Sequence, residues 1–433
     1  MGKKEAEDSA ISQVPEEITG QTHRVAPGGV HWRDTFSALR HRNFRLFFVG
    51  QLVSLMGTWM ENTALSWLVY QLTGSKVLLG LVAAAGTAPM LIFSTVGGSI
   101  ADRISKRKIV LVTQFAMMIL AFILAGLTWS HAVRPWNLIL LSLLGGVAMA
   151  FDMPARQSFL IEITSREDLM NAISLNSAIV NGARVVGPAV AGLLMARTGA
   201  AACFFINGLS FVAVIIALLR MTVPARPHAA PTGSAVQHIL EGFRYVWGHR
   251  RLKTIFTLFA IVGIFGWSYS VLMPAFATDA LHLDENHYGL LLGANGLGAL
   301  IGALTVAAYG GRFKPRVLAF SGLWVFSIML GIFSSSRSFP TAALCLVVSG
   351  WGMMLFFSTV NTLLQTIVTD AMRGRVMGIW ALVFGGMMPL GSLEAGTLSQ
   401  HIGVAATIAT GGAICGISGL LTWIYIHRHP VGD

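Results

Sequence analysis

Charged side chains inside long apolar runs carry the most chemical potential in this chain. Each is costly at mid-depth in a bilayer unless paired or hydrated. Five stand out. Glu61 lies beside Asn62 and Trp59, in an apolar run that begins near residue 44. Arg184 sits near the middle of a second run and Glu394 in a third. Asp152 and Arg156 are four residues apart, which puts them on one helix face as a structural pair. An isolated carboxyl can titrate as its surroundings open and close, so Glu61, and after it Glu394, are candidates for a proton or cationic-substrate site. Arg184 is expected to face a cavity or an acid. Gln51, Asn62, Asn176, Asn181 and Asn361 could supply hydrogen bonds to that cavity, and Trp59, Trp267, Trp351 and Trp380 could line an apolar pocket.

The elements that must position these residues are membrane helices. The chain has 433 residues, 54% of them hydrophobic and only 11% charged, whereas a soluble domain carries about 25% charged residues. The apolar residues fall in continuous runs of bilayer-spanning length, which excludes the alternating pattern of a barrel. Twelve spans are expected, at about 44–70, 77–100, 108–130, 136–158, 171–197, 201–220, 253–276, 287–309, 315–335, 339–367, 375–398 and 402–426. With the amino terminus inside, all but five of the 30 Lys and Arg fall in tails, inner loops or inner helix ends. Lys76, Arg134, Arg197 and Arg337 fall outside, and Arg184 lies within a span. That asymmetry places both termini in the cytoplasm. It also accounts for the formal charge of +11 without a nucleic-acid partner.

The expected organisation is a polar tail over 1–43 with a basic interfacial helix, a six-helix bundle over 44–220, a cytoplasmic linker over 221–252, a second six-helix bundle over 253–426 and a short tail over 427–433. The linker holds Pro224, Pro227 and Pro231, then a periodic stretch from Ala235 that predicts a surface helix. The halves echo each other weakly. Phe151-Asp152 near the end of span 4 matches Phe357-Ser358 near the end of span 10, and Pro188 and Pro389 sit beside glycines in spans 5 and 11. Two related six-span halves are a transporter architecture.

Between spans 2 and 3 the chain reads Gly98, Ala101, Asp102, Arg103, Lys106, Arg107 and Lys108. This loop resembles the signature of the major facilitator superfamily, with Ser105 where a second glycine is usual. Within that superfamily the sequence is similar to the drug and siderophore exporter branch, which includes macrolide-efflux and enterobactin-export proteins. The stretches that carry this likeness are 36–45, 67–74, Pro154–Gln157 and Arg184–Gly192. The resemblance implies an all-α polytopic fold of twelve helices in two pseudo-symmetric bundles. It implies a gating role for Gly98, Asp102, Arg103 and Arg107. It also implies an antiporter-type motif in span 5, with Ala183, Gly187, Pro188, Ala191 and Gly192 grouped on one face. The expected function is proton-coupled efflux of an amphipathic small molecule by alternating access. The alternatives are a lysophospholipid flippase of the same fold and a non-transporting membrane sensor.

Other chemistry finds no residues to carry it. The only Gly-Lys is Gly2-Lys3, so the phosphate-cradling loop of nucleotide hydrolases is missing. Cys203, Cys345 and Cys415 each lie in an apolar run without metal-ligand spacing. An enzyme, a metal and a cofactor are therefore not expected. The expected partners are a small-molecule substrate, protons or another coupling ion and the lipid of a bacterial cytoplasmic membrane, with the chain acting as a monomer.

Overall fold

A backbone crossing lipid must satisfy its own N–H and C=O groups, and a helix of some 20 residues does so across the hydrocarbon layer. The computed structural model describes residues 36–165, 167–222 and 235–428, without the side chains of 94–103, 235–239 and Ala371. A short unit ends at Ser37, and one large unit runs from Ala38 to Asp433. The large unit begins with α1 (Arg42–Thr73), α2 (Lys76–Arg103), α3 (Lys106–Trp129), α4 (Pro135–Glu162), α5 (Leu169–Thr198) and α6 (Ala200–Arg220). After the linker come α7 (Ala235–Gly248), α8 (Arg250–Phe265), α9 (Ser268–Asp279), α10 (Glu285–Tyr309), α11 (Pro315–Ser334), α12 (Phe339–Ile367), α13 (Asp370–Ile402) and α14 (Val404–Arg428).

Among the described residues, eleven stretches are long and apolar enough to cross a membrane, with α8 and α9 together making one of them. The twelfth long helix, α1, has 32 residues but falls short in hydropathy. The reason is in its composition: Arg42, Asn43, Arg45, Gln51, Glu61 and Asn62 all belong to it. The outer surface suits lipid. Val112 is 68% exposed, Leu344 66% and Ile92 62%, a liability in water and an asset among acyl chains.

Packing repeats between the halves. In the first, α1 packs on α5 and α6, α3 on α4 and α6, and α2 on α4. In the second, α8 packs on α13 and α14, α11 on α12 and α14, and α10 on α12. Each pair has its counterpart six spans later. The two most extensive cross-contacts, α2 with α13 and α5 with α10, also exchange under that relation. One-residue corners match too. Gly199 (φ 80°) joins α5 to α6 and Gly403 (φ 86°) joins α13 to α14, both in the left-handed region that favours glycine.

Two expectations need correction. The seventh span is broken: α8 ends at Phe265 and α9 starts at Ser268. Gly391 of α13 fits against the Ile264 carbonyl, where an added Cβ would come within 2.5 Å, and Gly411 of α14 sits against the Phe265 carbonyl. Glycine on both neighbours lets this turn be gripped closely, while Ser268 Oγ donates to the Phe265 carbonyl at 2.9 Å. No separate interfacial helix precedes α1 among the described residues; a 3-10 turn over Ser37–Arg40 leads into it. Residues 223–234 of the linker lie outside the described residues, and the helix expected after them is α7.

Candidate functional site

Two cavity compartments lie between the halves and meet at Trp267, which the break between α8 and α9 presents to both. The larger, about 520 Å³, is walled by Arg184 of α5, Met353, Phe357 and Asn361 of α12, and Trp380 and Phe384 of α13. Its aromatic wall is continuous. Phe259 stacks on Trp380 at 3.7 Å between centroids, and Phe384 meets Phe357 edge-on at 5.7 Å. Such packing is worth about 1 kcal/mol per ring pair beyond area burial. The other compartment, about 450 Å³, is walled mainly by the first half: Thr58, Glu61 and Asn62 of α1, Met90 of α2 and Asn207 of α6.

Glu61 accepts a hydrogen bond from Asn207 Nδ2 at 2.5 Å. Asn207 in turn accepts from the Ser210 hydroxyl at 3.0 Å, so the amide is oriented before it meets the carboxyl. Arg184 has no carboxylate within ion-pair distance among the described residues. Its guanidinium lies 5.8 Å from the Trp59 ring centroid, a cation–π arrangement. The Tyr269 hydroxyl, within reach of that charge, donates to Asn295 Oδ1 at 3.3 Å. The cavity thus presents one acid and one cation on different walls. Glu394 lines neither compartment. It lies on α13 near Cys415, and its Oε2 is buried without a hydrogen-bond partner among the described residues.

The pair Asp152 and Arg156 is elsewhere, packed between α1, α3 and α4. Asp152 is fully buried and accepts from Thr113 Oγ1 at 2.7 Å, from Gln114 Nε2 at 3.0 Å and from Arg156. Arg156 Nη1 donates to Gln51 Oε1 at 2.5 Å. Gln51 therefore serves this network and not the cavity. Trp351 also departs from expectation: its Nε1 donates to Thr305 of α10, on the α10–α12 contact.

The small residues of α5 do not share one face. An added Cβ on Gly187 would come within 2.6 Å of Trp59 Cβ on α1, whereas one on Gly192 would come within 2.7 Å of the Glu285 carbonyl on α10. Gly289 of α10 rests on the Pro188 carbonyl. Ala183 and Ala191 are buried, and the Ala191 carbonyl receives the Cys203 thiol from α6. The helix is wedged against α1, α6 and α10, so its size limit applies on each of those sides.

One end of the cavity is closed by contacts between halves. Gly80 of α2 abuts the Ser392 carbonyl and Gly396 of α13. Tyr70 donates to Asp279 Oδ2 at 2.6 Å, and Lys76 Nζ lies 3.7 Å from the same oxygen. Toward the other end, where α1 begins and α14 ends, Asn361 and Thr362 extend the larger compartment.

In the loop between α2 and α3, the side chains of Asp102 and Arg103 lie outside the described residues, as does that stretch around Gly98. Arg107 is described. It donates Nε to the Leu218 carbonyl at 2.8 Å and Nη2 to the Leu219 carbonyl at 3.0 Å, capping the last turn of α6. Lys106 pairs with Glu162 at 2.7 Å. Sequence reasoning did not single out Asn207, Asp279 or Glu162. The one available signal was Asn207, an amide alone in an otherwise apolar run.

A family described as transmembrane secretion effector matches residues 33–431. The Staphyloferrin A transporter of Staphylococcus aureus (strain NCTC 8325 / PS 47) is 26% identical over 89% of this chain and 96% of its own. The multidrug efflux pump Tap of Mycobacterium tuberculosis (strain ATCC 25618 / H37Rv) is 28% identical over 84% and 88%. The nucleoside transporter NupG shares the fold, with a TM-score of 0.75 over 89% of this chain and 99% of that one, at 12% identity.

Proposed function

Because the chain belongs to the transmembrane secretion effector family of the major facilitator superfamily, and so is a membrane transporter, we propose that it exports an amphipathic small molecule of drug or siderophore type in exchange for protons. The carrying observation is the cavity between the halves, with Glu61 and Arg184 on different walls and an aromatic lining between them. Glu61 is the proton carrier: binding a proton there cancels a charge that a closed cavity would otherwise hold against lipid. Arg184, held against Trp59 without an acid partner, takes an acidic group of the cargo. The flat rings of Phe384, Trp380 and Trp267 take its apolar body. The names of the relatives favour small-molecule export over lipid flipping or sensing.

Alternating access supplies the cycle. The Tyr70, Lys76 and Asp279 contacts close the outer end and must part when the cavity opens that way. The loop with Gly98, Asp102, Arg103 and Arg107 is the gate at the inner end. The bundles are the 44–220 and 253–426 halves. The protein acts as a monomer in a bacterial cytoplasmic membrane, and its Lys and Arg distribution supports both termini lying inside.

Everted vesicles test the reading. Drugs and siderophores are screened for uptake with and without an imposed proton gradient. Uptake that ignores the gradient would sink proton coupling. Glu61→Gln is expected to bind cargo and release no proton on binding; unchanged release would remove Glu61 as the carrier.

A further inference from the structure

The linker helix and the start of the second half form a site that the transport cycle leaves unused. One side of α7 is fixed to α13. Val246 is fully buried, Glu241 pairs with Arg375 at 3.1 Å, and Gly242 fits against the Arg375 carbonyl. On α7, Leu240, Phe243 and Trp247 stay exposed, at helical spacing, with the last two rings stacked at 4.2 Å and 10°. An uncovered apolar stripe at the end of a membrane bundle, beside basic residues, is the pattern of a helix lying in a lipid interface.

Trp247 leads into a groove of about 530 Å³ between α8 and α14. Arg250 and Lys253 stand in its wall, with Thr254 and Tyr425 beside them. Arg250 Nε donates to the Tyr425 hydroxyl at 2.6 Å, and its guanidinium lies 4.9 Å from that ring centroid. The guanidinium is thereby held in place with both Nη groups left to meet a ligand. Neither Arg250 nor Lys253 has a carboxylate within ion-pair distance among the described residues, and the same holds for neighbouring Arg251. The groove continues along Leu421, which is 61% exposed on the lipid-facing side of α14.

We infer that this groove seats an anionic phospholipid, its phosphate between Arg250 and Lys253 and its acyl chains along α14. The occupant must carry negative charge, because two unpaired cations flank the groove. It must also carry a chain, because the groove leaves the polar mouth along exposed apolar side chains in the hydrocarbon layer. A free phosphate satisfies the first condition and leaves the second idle. A zwitterionic lipid brings a positive group to a site that already holds two. Trp247 and Gly248 at the end of α7 line the same groove as α8 and α14, so a seated lipid touches the linker helix and the second half together.

The test uses the purified full-length protein, given equal amounts of phosphatidylglycerol and phosphatidylcholine and read by native mass spectrometry. The wild type is expected to retain phosphatidylglycerol over phosphatidylcholine on the order of tenfold, as two interfacial cations allow. Arg250→Ala with Lys253→Ala should bring that ratio near one, while Arg337→Ala, at the opposite end of the bundle, should leave it unchanged. Tyr425→Phe, which keeps the ring and removes the acceptor of Arg250 Nε, should lower the ratio and serves where the double variant does not fold. Equal retention of the two lipids by the wild type would overturn the site. So would an undiminished ratio in both the double variant and Tyr425→Phe, or displacement of the lipid by glycerol phosphate, which would make it a soluble-anion site.

Discussion

The two halves of this molecule are alike in packing and unlike in chemistry. The main helix contacts of the first have their counterparts in the second. Yet near the end of α4 lies a buried charge network of Asp152, Arg156, Thr113, Gln114 and Gln51, whereas the matching stretch of α12 holds Ser358 and Thr362. The second half fills its interior with rings instead, Phe259, Phe357, Trp380 and Phe384 among them. Repeated backbones thus leave the side chains free to diverge. Helix spacing is set by the small residues at contacts, such as Gly298 against Val347 and Gly322 against the Gly352 carbonyl. Polar function needs only a few positions, and one half can supply them.

Arg156→Ala gives the largest contrast. It leaves Asp152 buried without its cation and is expected to destabilise the protein by about 4 kcal/mol, read as a shift in unfolding in mixed micelles. Thr362→Ala at the matching place should change stability by less than about 0.5 kcal/mol. Equal losses would erase the distinction between the halves. Phe259→Ala comes next, at about 3 kcal/mol, because it opens a cavity in the aromatic packing. Its loss should not vary with ionic strength; a salt-dependent loss would show charge at work in the second half as well.

The smallest effect concerns Asp284, which caps α10 outside the membrane-spanning segments. It accepts from the His287 N–H at 3.0 Å and from the His287 ring at 2.6 Å. The backbone N–H, ahead of the opposing effect of desolvation and the further help of the ring, holds its carboxyl below the usual aspartate range. A depressed native pKa stabilises the folded state above the unfolded value of about 3.9, and that stabilisation is lost as the pH falls through the native value. Asp284→Ala should therefore cost about 1 kcal/mol at neutral pH. The gap to wild type should stay constant down to about pH 5 and close only below about pH 4. A gap that closes near neutral pH would assign it to His287 instead.

Local rules reached some of the site and not the rest. A four-residue spacing pairs Asp152 with Arg156, because neighbours on one helix face meet whatever the fold. Cost alone marks Glu61 and Arg184, since a charge in an apolar run needs a reason. Their surroundings were not legible. Asn207 is 146 residues from Glu61, and Tyr70 is 209 from Asp279. No period or propensity links such pairs. The small residues of α5 were assigned to one face for the same reason: sequence shows where a helix is thin, and only its neighbours show on which sides that thinness is used.

Read alone, the chain establishes a class of object: a polytopic helical membrane protein with superfamily markers and a charge asymmetry between its ends. Those follow from composition, run length and local motifs, each read within a few helical turns. Tertiary structure decided which acid meets the cavity. Glu61 lines it, whereas Glu394, another carboxyl in a largely apolar run, lies near Cys415 of α14. It also decided that the seventh span breaks at Trp267, since the break is held by Gly391 and Gly411 from helices more than a hundred residues away along the chain. The physical reason is the same in both cases. Helix rotation and close approach are set by what packs against each face, and no helix carries that information alone.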